Sequence, residues 1–457
     1  MSRTVDADYL VVGAGAMGMA FVDALTEHAD VRVAMVDRRH GVGGHWLEAY
    51  PFVRLHQASA FYGVASTLLG DGQPQQHGPE EGLQERADQA QICAYYARIL
   101  DRMVESGKVR FFPGSDYLGD GAVLSRIGGE RFEMPGARIV DARYLAPSIP
   151  AEMPPPFGVA AGARVVPVNE LARLEDAPSQ YVIVGSGKTA TDACVWLLSR
   201  AVDPDAICWV RPRDPWMLDR ALVQPDPAVF LGMAADTMRV AEQSTSPEDL
   251  FLGLEDAGIM LRIDRTVMPT MAKTPTLARW ELEQLRTVEN VVRRGHLQHV
   301  ERGRLTFAEG SAAVAEDALV VHCAADGLKY PPLVPVWRPE AITLQPIRAG
   351  FPCFGAAVVG YVEATRGSDA EKNRLCPPSP LPDSMVTWAR MNVLGTRAAM
   401  SFSAEPDIKE WSDRVALNPA RIPRGHPGSA ALDDARERLA THTKPGLARL
   451  AHLAGLS

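Results

Sequence analysis

Cysteine is scarce in this chain, and what there is forms no arrangement that does chemistry. The six residues, Cys93, Cys194, Cys208, Cys323, Cys353 and Cys376, include no C-x-x-C and no close pair. That argues against a structural zinc, a secreted disulfide framework and a redox-active disulfide. Long apolar runs are equally missing: none approaches the roughly 18 residues of a membrane span. The start of the chain runs straight into an apolar strand pattern with no signal-peptide pattern before it. A cytoplasmic location without a membrane partner is therefore expected. No basic block stands against the formal charge of −9, so nucleic acid is not an expected partner either. The eleven histidines contain no H-E-x-x-H. His296 and His299 sit among Arg293, Arg294 and Arg302, which reads as a solvated helix end or loop, and no metal is expected.

What is present is ordinary in bulk and specific in detail. Hydrophobic residues make up 46% and charged residues 23%, as in soluble globular proteins. The 457 residues suit three domains, or two with a large insertion, at about 150 residues each. Tyr9-Leu10-Val11-Val12 reads as a strand and Ala14 through Ala24 as a helix packed on a sheet. Between them lies Gly13-Ala14-Gly15-Ala16-Met17-Gly18. Gly13 allows the tight turn, Gly15 a close approach of backbone to a pyrophosphate, and Gly18 close packing of helix on strand. The helix N-terminus offers unpaired N–H groups to the anion. A second strand, Val31 to Val36, ends at Asp37, followed by Arg38. A carboxylate there can accept both ribose hydroxyls of an adenosine and disfavours a 2′-phosphate.

A second turn repeats the design with a different ending. Tyr181-Val182-Ile183-Val184 leads into Gly185-Ser186-Gly187-Lys188-Thr189-Ala190, and the next apolar run, Ile207 to Val210, ends in Arg211-Pro212-Arg213. Two guanidinium groups at that tip suit a 2′-phosphate, which they can grip bidentately; the alternative is a solvated arginine pair. Lys188 is placed either to reach the phosphates of the nucleotide or to lie solvated at the helix start. Gly187-Lys188-Thr189 imitates a nucleoside-triphosphate loop, but that motif needs glycine where Val182 stands.

The rest of the chain sorts around these turns. Gly43-Gly44-His45-Trp46 follows Asp37 and gives flexible backbone that can fold back over a cofactor, with Trp46 as a wall. Residues 70–85 read as a surface loop and 88–105 as a helix. The prolines from Ala146 to Pro156 make a stiff connector. Residues 214–286 read as a helical insertion, and 367–457 as helices and proline-rich loops. The expectation is an α/β fold of two Rossmann-like dinucleotide-binding domains. The first spans 1–160, completed by about 318–400, and the second spans 175–325.

In order along the chain, Gly13-x-Gly15-x-x-Gly18, Asp37, Gly43-Gly44-His45-Trp46, Gly185-x-Gly187-x-x-Ala190 and Cys323-Ala324-Ala325-Asp326-Gly327 resemble the motifs of the two-dinucleotide-binding flavoprotein monooxygenases, which include flavin-containing, N-hydroxylating and Baeyer–Villiger enzymes. The resemblance implies FAD at the first turn, with Gly44, His45 and Trp46 near its pyrophosphate or ring, and NADPH at the second. It also implies a small-molecule substrate oxygenated with O2 at nitrogen, sulfur or carbon through a C4a-(hydro)peroxyflavin. Asp326 and Gly327 stand where the family has an A-T-G turn. Where the family's F-x-G-x-x-x-H should fall, Phe157-Gly158-Val159-Ala160-Ala161-Gly162 is present, but no histidine follows.

Near the ring, Arg54 and His56 are the candidate catalytic side chains and Gln57 a candidate cofactor contact. For His56 a structural hydrogen bond is the alternative. Two other functions stay open: an NAD(P)H-dependent flavin oxidoreductase without oxygen insertion, and a non-catalytic protein that keeps the fold. Homo-oligomerisation is also left open.

Overall fold

The computed structural model describes residues 2–325 and 329–456. Its first sheet is wholly parallel, in the spatial order Ile342–Thr343, Arg138–Asp141, Tyr9–Val12, Val33–Val36 and Val109–Phe112. The central strands are apolar along their whole length because both faces are covered. Val11, Val33, Met35 and Val140 face the helices. Leu10, Val12, Ala34 and Val36 face a small, mostly antiparallel sheet made of Ser2–Thr4, Ser115–Gly119, Ala122–Ser125 and Arg131–Glu133. On the helical face, Ala16–His28 and Pro352–Thr365 touch backbone to backbone, since a Cβ on Gly360 would run into the Phe21 carbonyl. Helix Gln89–Glu105 starts at Asp88, whose carboxylate accepts from the Gln91 amide at 2.9 Å while the Gln91 side chain caps in return.

The second sheet repeats the plan. Its order is Arg164–Pro167, Leu319–His322, Tyr181–Val184, Ile207–Val210 and Val291–Val292, again parallel. Helix Lys188–Ser199 covers one face. On the other lies a second small sheet of Gly158–Val159, Leu297–Glu301, Arg304–Phe307 and Gly310–Ala313. His299 is therefore a half-buried strand residue rather than part of a solvated end. The second domain begins before residue 175, at the strand Arg164–Pro167. The first resumes at Ile342 rather than near 318, because Leu319–His322 is bonded into the second sheet.

Between residues 214 and 286 the helices Pro227–Gln243, Pro247–Asp256 and Arg279–Arg286 appear as expected. The first two begin at Asp226 and Ser246, whose side chains accept from helix amides, with proline at the first helical position. The segment also contains three short strands, Trp216–Asp219, Met260–Arg262 and Thr276–Leu277. They are too short to leave an alternation in the sequence. The tail is helical at Asp369–Leu375, Met385–Ser403, Pro406–Arg414 and Ala430–Leu453. Its last helix lies on Pro227–Gln243, with Gly446 against the Met238 carbonyl. Among the described residues no helix is long and apolar enough to cross a membrane.

Candidate active site

At the first turn Gly13 has φ +107° and its amide donates to the Val36 carbonyl at 2.8 Å. A Cβ on Gly18 would run into the Gly13 carbonyl oxygen, so helix and strand pack as closely as the motif requires. Gly15 meets Gly44: a Cβ on Gly44 would lie 3.0 Å from the Gly15 Cα. Gly44 has φ +63°, and the neighbouring Gly43 amide donates to the Ala14 carbonyl at 2.9 Å. Two bare backbone segments thus meet beside the N-terminus of Ala16–His28, whose first amides have no partner within the helix. Asp37 is buried at the strand tip, where one carboxylate oxygen accepts from the Ala14 amide at 2.8 Å and the other from the Arg39 amide at 2.9 Å. Each oxygen keeps a further lone pair for a hydroxyl.

Trp46 walls this edge. Its indole donates to the Tyr62 hydroxyl at 2.6 Å, and the His45 ring stacks on it at 5.3 Å. Burial, reinforced by Arg39, pushes the His45 imidazole down to about 4. The helix Pro352–Thr365 points to the same edge. Near its end Glu363 accepts from Tyr9, the first residue of its strand, at 2.7 Å, so the helix N-terminus lies toward the carboxyl ends of the strands. That is where open parallel sheets bind ligands.

The second turn is more open. Gly185 has φ +134° and packs on Cys323 and Ala324, while its carbonyl accepts from the Trp209 indole at 2.8 Å. Among the described residues nothing beyond its chain neighbours lies within 4 Å of a Cβ built on Gly187. Buried Ser186 Oγ has no hydrogen-bond partner among the described residues. Arg211 is 2% exposed and folds inward. Its guanidinium lies 4.7 Å from the Trp209 ring centroid, with Nη1 3.3 Å from the Asp214 carboxylate, yet among the described residues neither Nε nor Nη1 makes a hydrogen bond. Burial lowers its pKa from the usual guanidinium range. Arg213 turns away, to the Asp383 carboxylate at 3.1 Å and the Thr270 carbonyl at 2.9 Å.

The segment after Trp46 joins the two turns. Tyr50 donates to Asp192 at 2.7 Å, and Asp192 also pairs with Lys188. Phe52 stacks on Trp196 with centroids 4.7 Å apart. The first domain thereby docks on the nucleotide helix of the second. Deeper in, four buried charges alternate in sign. Glu80 takes Arg86 at 2.7 Å and Arg220 at 2.5 Å, and Arg220 reaches Glu281 at 2.7 Å. The same Arg220 donates through Nε to the His56 carbonyl at 3.1 Å. Burial and the nearby cations Lys188, Arg220 and Arg86 hold the His56 imidazole well below its ordinary value, so it is neutral at pH 7. Its Nδ1 has no partner among the described residues.

Residues 11–62 match the model of the NAD(P)-binding Rossmann-like domain. The uncharacterized protein Rv2000 of Mycobacterium tuberculosis (strain H37Rv) is 42% identical over 421 residues, which cover 91% of this chain and 78% of that protein. Its counterpart Mb2023 of Mycobacterium bovis matches to the same extent. The chain belongs to the Rv2000 family. In fold it is similar to a flavin monooxygenase variant from Stenotrophomonas maltophilia, at 12% identity and TM-score 0.48, over 81% of this chain and 99% of that one. It is likewise similar to an oxidized steroid monooxygenase bound to NADP, at 13% identity and TM-score 0.46, over 96% and 99%. Neither likeness bears on chemistry at that distance.

In this member of the Rv2000 family the expected site residues divide into three groups. Gly13, Gly15, Gly18, Asp37, Gly44, His45 and Trp46 come together at the first turn; Gly185, Ser186, Gly187, Lys188, Thr189 and Arg211 gather at the second. His56 lies between the domains, with half-buried Gln57 beside it. Three arginines are placed elsewhere. Arg54 is exposed, its backbone paired with that of Asp88, Arg38 pairs with Glu152 at 2.7 Å, and Arg213 is held by Asp383. Asp326 and Gly327 lie outside the described residues. Sequence reasoning missed Glu80, Arg86, Arg220 and Glu281. Glu80 is buried within a stretch that reads as surface loop, because its partner Arg220 is 140 residues away and no local pattern marks it. A glutamate and an arginine six residues apart in a glycine- and glutamine-rich stretch was the available signal.

Proposed function

We propose that this protein is an FAD- and NADPH-dependent monooxygenase acting on a small molecule, with FAD at the first turn and NADPH at the second. One observation carries the reading: two glycine turns, each at the carboxyl edge of its own parallel sheet, belong to domains joined by Tyr50 on Asp192 and Phe52 on Trp196. The residues present fit both groups. At the first turn the bare backbone of Gly15 and Gly44 lies beside a helix N-terminus, with Asp37 at the ribose position. The second offers the open space over Gly187, the orphaned Ser186 hydroxyl and the unsatisfied nitrogens of buried Arg211, which suit phosphate oxygens.

When bound, the flavin would supply hydride acceptance and oxygen activation. The chain's own residues bind and orient. Gly13 to Gly18 and Gly185 to Lys188 set the pyrophosphates, while Trp46 and Tyr62 keep water from the edge. His56, held neutral, can accept a hydrogen bond or a proton at Nδ1. Reconstitution with FAD followed by anaerobic mixing with NADPH or NADH, and then with O2, tests the proposal. Expected are yellow protein, faster bleaching by NADPH, and oxygenated product in step with NADPH consumed once substrate is present. Protein that stays colourless sinks the FAD reading. Rapid NADH bleaching with only hydrogen peroxide released favours an oxidoreductase without oxygen insertion.

A further inference from the structure

Arg86, Arg211 and Arg220 are buried, and each has a carboxylate within 3.3 Å. Arg348 breaks that pattern. It lies in the turn between the strand Ile342–Thr343 and the helix Pro352–Thr365, at the carboxyl edge of the first sheet. It is half-buried there, partial desolvation lowers its guanidinium to about 10, and no carboxylate among the described residues lies within ion-pair distance of it.

The position is firmly set. Ala349 is wedged against Gly395, where a Cβ would come within 2.8 Å of the Ala349 amide nitrogen, and the Phe351 amide donates back to the Arg348 carbonyl at 3.2 Å. The guanidinium lies over the Phe351 ring, 5.8 Å from its centroid. Phe351 in turn packs on Phe61 at 5.2 Å and on Phe230 at 5.7 Å. These rings come from three segments: the loop after Trp46, the turn bearing Arg348 and the inserted helix Pro227–Gln243.

A half-buried guanidinium held in place without a carboxylate partner among the described residues has donors to offer an anionic ligand. The planar fork of arginine matches a carboxylate bidentately, and the N-terminus of Pro352–Thr365 adds to the positive field at that point. We propose that Arg348 is the recognition residue for the carboxylate of an acidic small-molecule substrate whose apolar body lies toward the Phe61, Phe230 and Phe351 cluster. The inference rests on the reading of this edge as the redox site.

The test is calorimetric titration of the full-length protein with benzoate and phenylacetate against benzamide and phenylacetamide, with and without FAD. Both acids should bind at least tenfold more tightly than their amides. Arg348→Gln should lower acid affinity at least tenfold while leaving amide affinity and FAD retention unchanged, and Arg348→Lys should recover part of the loss. Equal binding of acid and amide, no binding of either, or undiminished acid binding by R348Q overturns the proposal. A normal acid response in R348Q with a shifted flavin midpoint potential also overturns it, assigning the guanidinium to the flavin ring. If R348Q does not fold, the acid-to-amide ratio of the unaltered protein and the affinity of R348K decide. Titration of the FAD-free protein separates this outcome from failure of the flavin reading, which the colour of the reconstituted protein reports.

Discussion

The two glycine turns share a sequence design but differ in what the protein itself does with their polar groups. At the first, Ala14 and Arg39 donate to Asp37 and Gly44 closes on Gly15. The cradle is held in shape by the chain. At the second, among the described residues, nothing faces Gly187, Ser186 Oγ has no hydrogen bond, and two nitrogens of buried Arg211 make none. Buried polar groups left without partners are costly, so the second turn stands to gain more from a ligand than the first. On the proposed reading, the contrast implies a tightly kept cofactor at the first turn and an exchanging one at the second.

The comparison breaks most violently at the seam between the halves. Arg220→Met removes the cation shared by Glu80 and Glu281, leaving buried carboxylates short of a partner. We expect a loss of about 3–5 kcal/mol in chemical denaturation, with the single transition splitting into two. Next come the glycines. Gly18→Ala forces a methyl into the Gly13 carbonyl and should cost about 1–3 kcal/mol together with FAD retention. Gly187→Ala enters open space, so it should cost about 1 kcal/mol or less and show itself as a raised KM for NADPH. Equal stability losses for the two would show that the turns do not differ as described.

The arginine pair sharpens the second turn. Arg211→Ala should raise KM for NADPH by about tenfold, near 1.4 kcal/mol, and leave NADH nearly untouched. Arg213→Ala, already paired with Asp383, should do much less. Equal effects on the two nucleotides would remove the 2′-phosphate from Arg211. The smallest effect tests the first turn. His45 titrates near 4 in the folded protein against about 6.5 unfolded. Between those values the unfolded chain takes a proton that the folded one refuses. Stability should therefore fall as pH drops from 6.5 toward 4, by about 1 kcal/mol after discounting for partial exposure. Thermal melts from pH 7 to pH 4.5 should show a shallower slope for His45→Gln than for the unaltered protein.

The sequence by itself determined both βαβ units and the order of their motifs. Each rests on interactions a few residues apart, where Gly13 and Gly18 answer one strand–helix contact and Asp37 closes the same unit. Apolar runs of four residues flanked by glycine state their strands locally. Strands of two residues, such as Thr276–Leu277, state nothing. Only the tertiary structure decided which polar residues are buried and what they meet. Glu80 finds Arg220, which also holds Glu281, Arg213 is drawn off to Asp383, Arg54 is left at the surface, and Arg348 is set at the carboxyl edge of the first sheet with no carboxylate partner among the described residues. Ion pairing and desolvation depend on distance in space and not along the chain, so no motif could announce them.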